Sequence, residues 1–427
     1  MLDRKKAPAF VTIDSVAIMP VSNHSLSNGI PLYTLSAGSQ EITKLEFIFK
    51  AGMYQQKETL VASATNSLME LGTKSFNANQ LSDGIDFYGS FLEMSVEQDY
   101  ANITIYSLNK HLQKTLAFVE EILKYPTFAQ DEFDTYLTNK KQKFFVNSQK
   151  VNVMARRKFV ELLYGSQHPY GINVIEKDFD RIQLAHLHAF FKQHYNASQC
   201  SIIASGKLPE NLQNILENFF GQKAWPAIAN IEAATQHTIH TTTNRSTLLQ
   251  KDDAVQSAIR IGRVMFNKTD PDYFKFQILN TVLGGYFGSR LMANIREDKG
   301  YTYGIGSGLN NLVQSGYFAI STEVGADVCQ AAIDEIYKEL KKLREDLIDT
   351  AELETVRNYV LGHFLRSVDG PFSLAAKFRS IWEYGLDYSF YDNYFHAVKT
   401  VNPKELRELA NKYFQQNDMI ECVAEKF

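Results

Sequence analysis

The sequence has 427 residues, 44% of them hydrophobic, which is typical of a globular protein with two domains. Its 44 basic and 48 acidic side chains are interspersed and leave a net charge of −4, which excludes the basic surface of a nucleic-acid-binding protein. Three widely separated cysteines, Cys200, Cys329 and Cys422, exclude a disulfide framework and indicate a reducing compartment. No signal-peptide pattern and no run of about 18 apolar residues occurs, so we expect a cytoplasmic protein that does not bind membranes.

The N-terminal half begins with two strand patterns, Pro31–Ala37 and Lys44–Ala51. Two helical patterns follow, Glu58–Leu71 and Asn77–Tyr88, and Gly72 ends the first of them. The rest of this half is predicted to contain two strands, three long helical stretches, a strand and a final helix, over residues 91–97, 100–108, 112–123, 130–163, 184–193, 200–206 and 209–220.

A change in composition follows at Gly221–Arg245, which is rich in Ala, Thr and Asn and has little amphipathic period. We interpret residues 223–245 as a linker between two domains, 1–222 and 246–427. The same order of elements then returns, with strands and helices predicted over residues 257–265, 273–283, 290–297, 301–308, 316–324, 326–343, 351–365, 372–384, 403–414 and 419–425. This repetition, at a period of about 215 residues, predicts a duplicated α+β protein in which each domain has a sheet backed by helices.

The segment Lys50–Phe76 carries the first family resemblance, because it is similar to the start of zinc peptidases of the pitrilysin/insulinase type. In that family a strand and loop lead into a helix with the motif H-x-x-E-H, which a Gly-Thr pair closes, as it does here. The motif falls on Ser63, Asn66 and Ser67. Histidines at i and i+4 share a helix face and can bind one metal, and the glutamate at i+3 can take a proton from metal-bound water. Serine and asparagine supply neither function.

The third zinc ligand of the family is also missing. Members place a glutamate roughly 75 residues beyond the second histidine of the motif. In this sequence that count ends near Phe144, and no acidic residue lies between Asp134 and Glu161. The resemblance therefore implies a chain without a cofactor of its own, in which both histidine ligands, the base and the third ligand have been lost together.

The ten histidines offer no replacement metal site. His186 and His188 are predicted on different faces of one helix, and His194 lies apart from them. His237 and His240 lie in the Thr-rich linker without Cys, Asp or Glu at a useful spacing. We therefore expect no metal to bind to this chain.

The second family signature is retained in Leu283–Gly308, which reads LGGYFGSRLMANIREDKGYTYGIGSG. It resembles a helix that ends in an Arg-Glu pair, followed by Gly and by a Tyr at the start of a strand. In active members this arginine and tyrosine reach across a closed chamber to the zinc site of the other half, and the matching residues are Arg296 and Tyr303. A tyrosine hydroxyl can donate to a developing oxyanion, and a guanidinium can hold peptide carbonyls or a carboxylate. Tyr301 would face the same side of a strand as Tyr303 and line the substrate, or it packs in the core.

Two other chemistries find no support in the sequence. Gly304, Gly306 and Gly308 are similar in spacing to a nucleotide loop, but they lie in a strand pattern that no helix follows. The sequence contains no G-x-S-x-G motif for a serine nucleophile.

The resemblance covers nearly the whole chain, in the short two-domain branch that includes bacterial peptidases and mitochondrial processing peptidase subunits. It implies a metallopeptidase-like fold with two homologous domains, each a mostly antiparallel sheet backed by helices. It also implies a non-catalytic subunit, inactive alone, whose homologous partner keeps H-x-x-E-H and binds the zinc. Their substrate would be a peptide or unfolded polypeptide, and the isolated chain could form a homodimer.

Three alternatives to this hypothesis remain. One is a purely structural homologue, similar to the core proteins of respiratory complexes that share the fold. Another is a chaperone-like homodimer that binds peptides without cleaving them. The third, a peptidase active without a partner, would require the chain to bind a metal.

Overall fold

The computed structural model describes residues 13, 16–221, 225 and 237–426. Its strands form two sheets. The first contains β1 (Ser22–Ser25), β2 (Pro31–Ser36), β3 (Ile42–Phe49), β4 (Phe91–Val96), β5 (Ala101–Leu108) and β6 (Cys200–Gly206). The second contains β7 (Ser246–Gln250), β8 (Gln256–Met265), β9 (Ile305–Leu312), β10 (Ser315–Gly325) and β11 (Ile420–Glu425).

Helices surround both sheets. In the first half they are α1 (Val61–Leu68), α2 (Ala78–Phe87), α3 (Leu112–Lys124), α4 (Gln130–Ser148), α5 (Val151–Tyr164), α6 (Asp178–Arg181), α7 (Leu184–His194) and α8 (Leu212–Leu216). In the second half they are α9 (Tyr273–Asn280), α10 (Cys329–Glu345), α11 (Thr350–Arg366), α12 (Gly370–Trp382), α13 (Ser389–Thr400) and α14 (Pro403–Tyr413). None of the helices in the described part of the chain combines the length and apolarity needed to cross a membrane.

The two sheets repeat one topology. The strand order is β1-β2-β6-β3-β5-β4 in the first sheet and β7-β11-β8-β10-β9 in the second. The pairs β2–β6 and β7–β11 are parallel, and every other pair between named strands is antiparallel. Apart from the added edge strand β1, the orders and directions correspond strand for strand. The predicted α+β fold with two homologous, mostly antiparallel sheets is therefore confirmed.

The predicted linker separates the two sheets along the chain. Residues 223–224 and 226–236 of this segment lie outside the described residues, and residues 237–245 contain no helix or strand. The boundaries at 223–245 stay a prediction.

Each half of the chain contributes one helix that packs on the sheet of the other half. One face of each sheet packs against helices of its own half, with β3 and β5 contributing to one large core and β8 and β10 to another. On the opposite faces, α5 of the first half lies against β8 and β11, and α12 of the second half lies against β2 and β6. Ala155 of α5 packs on Ala258 and Ala424, while Phe378 of α12 packs near Ile203. Each sheet is thus covered on one side by a helix from the other half.

Two predicted elements differ from the structure, and two observed edge strands were not predicted. The helical stretch 130–163 is two helices, since Lys150 adopts an extended backbone (φ −82°, ψ 127°) where the chain turns from the first half toward the second sheet. The strand predicted at 301–308 begins only at Ile305, and residues 301–304 are irregular. The edge strands β1 and β7 were not predicted, because β1 is polar and exposed throughout and β7 has only two apolar residues in a mostly exposed segment.

Candidate functional site

The first-signature positions lie together on α1, and the position of the family's catalytic base is part of the protein core. Asn66 is only 1% exposed, and its Nδ2 donates to the hydroxyl of Tyr195 at 3.2 Å. Burial raises the pKa of Tyr195, so this hydroxyl stays protonated. The Asn66–Tyr195 bond satisfies two polar groups inside an apolar region, and it leaves no acceptor positioned to take a proton from a bound water.

The two histidine positions, Ser63 and Ser67, are half-buried. The Ser63 hydroxyl donates to the carbonyl of Leu60 at 3.1 Å, and the Tyr136 hydroxyl on α4 lies 3.5 Å from the Ser63 oxygen. Phe144, farther along α4, packs 5.3 Å from the ring of Phe179. The guanidinium of Arg157 lies over the Phe144 ring at 5.2 Å. This set of side chains contains no imidazole and no carboxylate, so it does not fit a zinc ion.

The three histidines of α7 have structural contacts. His186 accepts the backbone N–H of Gln183 at the start of α7, and His188 packs edge-on against Phe128. His194 contacts the carbonyl of Lys50 at 2.9 Å, and burial lowers its pKa. Among the residues that the structure describes, no three His, Cys, Asp or Glu side chains are grouped closely enough to hold a metal ion.

The second signature forms an exposed aromatic–arginine cluster. Arg296 lies in a π-helical segment, Met292–Asp298, and Gly300 (φ 68°) lets the chain turn away at its end. The guanidinium carbon of Arg296 is 4.7 Å from the ring centre of Phe287 and 5.6 Å from that of Tyr303. Phe287 is 64% exposed and Tyr303 is 93% exposed. Within the described parts of the chain, Arg296 has no ion pair, so its forked donors remain available to a ligand.

Tyr301 does not share the exposure of Tyr303. It is half-buried and packs against the core of the second half. The expectation that the two tyrosines face the same side rested on a strand at this point, and the chain is irregular there. The Thr302 hydroxyl is hydrogen-bonded to the carbonyls of Gly304 and Glu323, which fixes the irregular segment instead.

Phe287 was not predicted as part of this cluster. The sequence contained one indication that Phe287 belongs to this cluster. Phe287 lies within the second signature, two residues after its Gly-Gly pair and directly before Gly288. The sequence alone does not show that this ring and that of Tyr303 both lie against one guanidinium.

A second group that the sequence did not predict joins the two halves. The Tyr170 hydroxyl donates to Asp99 at 2.6 Å and accepts the backbone N–H of Gln314 at 3.2 Å. The other oxygen of Asp99 accepts the N–H of Val313 at 3.1 Å. Nearby, the Tyr164 hydroxyl donates to the carbonyl of Gly316 at 3.0 Å. The first half therefore binds the turn between β9 and β10 through polar contacts.

Two like halves with this sheet topology are the architecture of the metallopeptidase-like fold that the sequence resembles. Residues 181–360 match the family model described as the peptidase M16 inactive domain. The matched residues are less than half of the chain and include the second signature, and the match confirms the resemblance of the sequence to pitrilysin-type peptidases.

Relatives with curated sequences are similar over most of their length. An uncharacterized zinc protease of Rickettsia bellii is 22% identical over 393 residues, covering 90% of each chain. The non-peptidase homolog YmxG of Helicobacter pylori is 21% identical over 362 residues, covering 82% of this chain and 80% of that protein.

Solved structures share the fold over nearly the whole chain. A peptidase M16 inactive domain from Pseudomonas fluorescens superposes with a TM-score of 0.85 at 22% identity, covering 96% of this chain and 99% of that one. A protease from Helicobacter pylori superposes with a TM-score of 0.86 at 16% identity, covering 96% and 100%.

Proposed function

We propose that this chain is the zinc-less subunit of a two-subunit M16-type peptidase. In this proposal a homologous partner with an intact H-x-x-E-H motif binds the zinc, and this chain contributes Arg296 and Tyr303 to the substrate. The observation that carries the proposal is the contrast between the two signatures. Asn66 is buried against Tyr195 inside the core, whereas Arg296 lies between two exposed aromatic rings.

The chemistry of the exposed cluster suits binding of a peptide. The guanidinium of Arg296 can donate two parallel hydrogen bonds to a backbone carbonyl or a carboxylate of the substrate. The hydroxyl of Tyr303 can donate to the carbonyl oxygen of the bond being cleaved, where negative charge develops. A solvated arginine on a surface would more often have a carboxylate neighbour or a mobile side chain, and here the two rings restrict it instead.

The substrate would be an extended peptide. The strands β4 and β9 each lie at the edge of a sheet and have one unpaired side among the described strands. An edge of this kind can hold a peptide as an added strand through its backbone hydrogen bonds, which requires an unfolded segment and little sequence preference. The partner, the substrate and the cleavage in trans are all part of the proposal.

Co-expression tests the proposal. The chain would be produced together with an M16 homologue from the same genome that has the intact motif, and cleavage of a peptide library would be measured. We expect neither subunit alone to cleave efficiently. We also expect Arg296→Ala or Tyr303→Phe to lower kcat/KM of the pair by roughly a hundredfold to a thousandfold, the range for removing one transition-state donor. Arg407→Ala is the control, because Arg407 lies on α14 and has no ion pair among the described residues.

The outcome distinguishes the alternatives. If the pair cleaves peptides and both variants match the wild type, the role of Arg296 and Tyr303 in catalysis is wrong. If the pair does not cleave and the pure chain binds peptides or joins a larger assembly, a scaffold or peptide-binding function replaces the proposal. Stoichiometric zinc in the purified chain would support a peptidase that acts alone.

A further inference from the structure

A cavity of about 490 Å³ lies in the second half, between α9, α11, α12 and α13. Its volume falls in the range of small-molecule sites, roughly 300–1,000 Å³. Six Phe and Tyr side chains form part of its wall: Tyr273, Tyr359, Phe364, Phe390, Tyr391 and Tyr394. Neither the positions on α1 nor Arg296 and Tyr303 line it, so it is distinct from the site of the proposed function.

Two lysines line this cavity, and both lie on aromatic faces instead of beside carboxylates. The Lys268 ammonium is 4.9 Å from the ring centre of Tyr384, and that of Lys377 is 5.1 Å from the ring centre of Phe364. No carboxylate in the described residues lies within ion-pair distance of either ammonium. A cation held by a ring face keeps N–H donors free, since the ring supplies attraction without taking a hydrogen bond of normal geometry.

The charge of Glu383 acts to raise the pKa of Lys268. The carboxylate of Glu383 already accepts a hydrogen bond from the Nε of Arg379 at 2.7 Å. The Lys268 ammonium donates one hydrogen bond, to the carbonyl of Ser380 at 2.7 Å, which leaves two donors. Lys377 has no hydrogen bond from its side chain within the described structure. Two positive charges thus line this cavity, and no Asp or Glu is among the described residues that form its wall.

We propose that this cavity binds a small organic carboxylate with an aromatic or aliphatic body, held at its charged end by Lys377 and Lys268. The aromatic walls would cover the apolar body of the ligand. A single carboxylate matches two point-charge donors better than a phosphate dianion does, because phosphate sites usually add arginine forks or a helix N-terminus. The carboxylate could belong to a free acid or to the C-terminus of a short peptide. The inference does not rest on the proposed function.

Calorimetric titration of the full chain with matched probes tests the site. The probes are 4-phenylbutyrate with 4-phenylbutyramide as its neutral counterpart, and acetyl-Ala-Phe with a free or an amidated C-terminus. We expect a free carboxylate to bind at least roughly tenfold more tightly than its amide, a difference of about 1.4 kcal/mol. The tighter of the two acids identifies the source of the carboxylate.

Variants of the lysines show whether the carboxylate binds in this cavity. Lys377→Met should weaken binding of the carboxylate at least roughly tenfold while hardly changing binding of the amide, and Lys377→Arg should retain binding. Lys404→Met is the control, since Lys404 is exposed on α14, away from the cavity. Thermal melting of each variant shows whether it is folded.

A pH series supplies an independent measurement. Burial lowers the pKa of Lys268 to about 8, although Glu383 acts in the opposite direction. The other titratable groups around the cavity are Lys377, Tyr273, Tyr359, His363, Tyr384, Tyr391 and Tyr394. Because Lys268 loses its charge as the pH rises through about 8, carboxylate affinity should fall between about pH 7 and pH 9 in the wild type and much less in Lys268→Met. Equal binding of acid and amide, failure of both acids to bind at millimolar concentration, or no effect of Lys377→Met would overturn the proposal.

Discussion

The hydroxyl of Tyr170 donates a 2.6 Å hydrogen bond to Asp99, whose other oxygen accepts the backbone N–H of Val313. Asp99 and Tyr170 belong to the first half of the chain, and Val313 lies in the turn between β9 and β10 of the second. Burial raises the pKa of Asp99, while the two donors act in the opposite direction and favour its charged form. One carboxylate thus connects the halves that the linker joins along the chain.

Tyr170→Phe should therefore destabilise the protein. Removal of the hydroxyl leaves one oxygen of a buried carboxylate without its donor, which costs about 1–3 kcal/mol of unfolding free energy. The hydroxyl stabilises the charged form of Asp99, so its loss raises the pKa of Asp99 further and favours the protonated form. The loss of unfolding free energy in the variant should then be larger near about pH 7 than near about pH 4, where Asp99 is increasingly protonated.

Urea denaturation of wild type and variant at both pH values measures this difference. Tyr303→Phe is the control, because Tyr303 is 93% exposed and the same atom is removed without an internal partner. A deficit for Tyr170→Phe that is equal at both pH values would show that Asp99 does not respond to this hydrogen bond.

A second connection between the halves is ionic. Arg379 on α12 lies 3.6 Å from Glu46 on β3, 3.6 Å from Glu97 and 2.7 Å from Glu383. The side chain of Glu46 is only 6% exposed, and its remaining partner is Lys44 at 3.0 Å. Arg379→Leu should destabilise the chain by about 2–4 kcal/mol, because it leaves three carboxylates near each other with one buried.

A double-mutant cycle separates the charge from the packing in this network. Glu46→Gln should recover part of the stability that Arg379→Leu loses, since the glutamine removes the unpaired buried charge. Arg407→Leu, at a position without an ion pair in the described residues, should change the unfolding free energy by less than about 0.5 kcal/mol. If the changes in unfolding free energy of Arg379→Leu and Glu46→Gln simply add in the double variant, the charges of this network do not hold α12 on the first sheet.

The sequence predicted the order of elements and the two signatures better than it predicted how the halves pack. Apolar periodicity shows which face of a helix is buried, but it does not show which sheet covers that face. The face of α5 that packs on the second sheet consists partly of Ala155 against Ala258 and Ala424, and alanines carry little amphipathic signal. The exchange of α5 and α12 between halves was therefore not predictable from pattern.

The candidate site shows a similar limit. Arg296 and Tyr303 were predicted from a short local motif, and the structure places them side by side. The pair Tyr170 and Asp99 is separated by 71 residues, and nothing in the local sequence indicates that they meet. Short-range motifs were predictable because both members lie on one turn of the chain, whereas contacts between the halves depend on the complete fold.

Restoration of the family's glutamate at position 66 should damage this protein. Asn66 is 1% exposed and hydrogen-bonded to Tyr195, so Asn66→Glu buries a carboxylate in an apolar region. Burial would raise the pKa of that glutamate above its unfolded value, and the stability of the variant should then decrease as the pH rises. We expect a loss of about 2–4 kcal/mol near about pH 8 and a smaller loss near about pH 5.

Asn66→Gln is the matched control, because it adds the same length without a charge. Both variants crowd the core, and the difference between them isolates the cost of the charge. Guanidinium denaturation at the two pH values gives this difference. If Asn66→Glu is as stable as Asn66→Gln at the higher pH, the site still accommodates the base of an active peptidase.

Phe287 should affect peptide cleavage without affecting folding. Its ring is 64% exposed and lies 4.7 Å from the guanidinium carbon of Arg296, so it restricts the orientation of that side chain while contributing little to the core. Phe287→Ala should change the unfolding free energy by less than about 0.5 kcal/mol. An exposed cation–π contact contributes about 0.5–1 kcal/mol, so kcat/KM of the assembled pair should fall roughly twofold to fivefold. Phe87→Ala, which removes a ring that is 82% exposed on α2, should leave both quantities unchanged.

A variant that lowers kcat/KM only through weaker assembly with the partner would recover at high partner concentration. A loss that persists at saturating partner therefore assigns Phe287 to the positioning of Arg296.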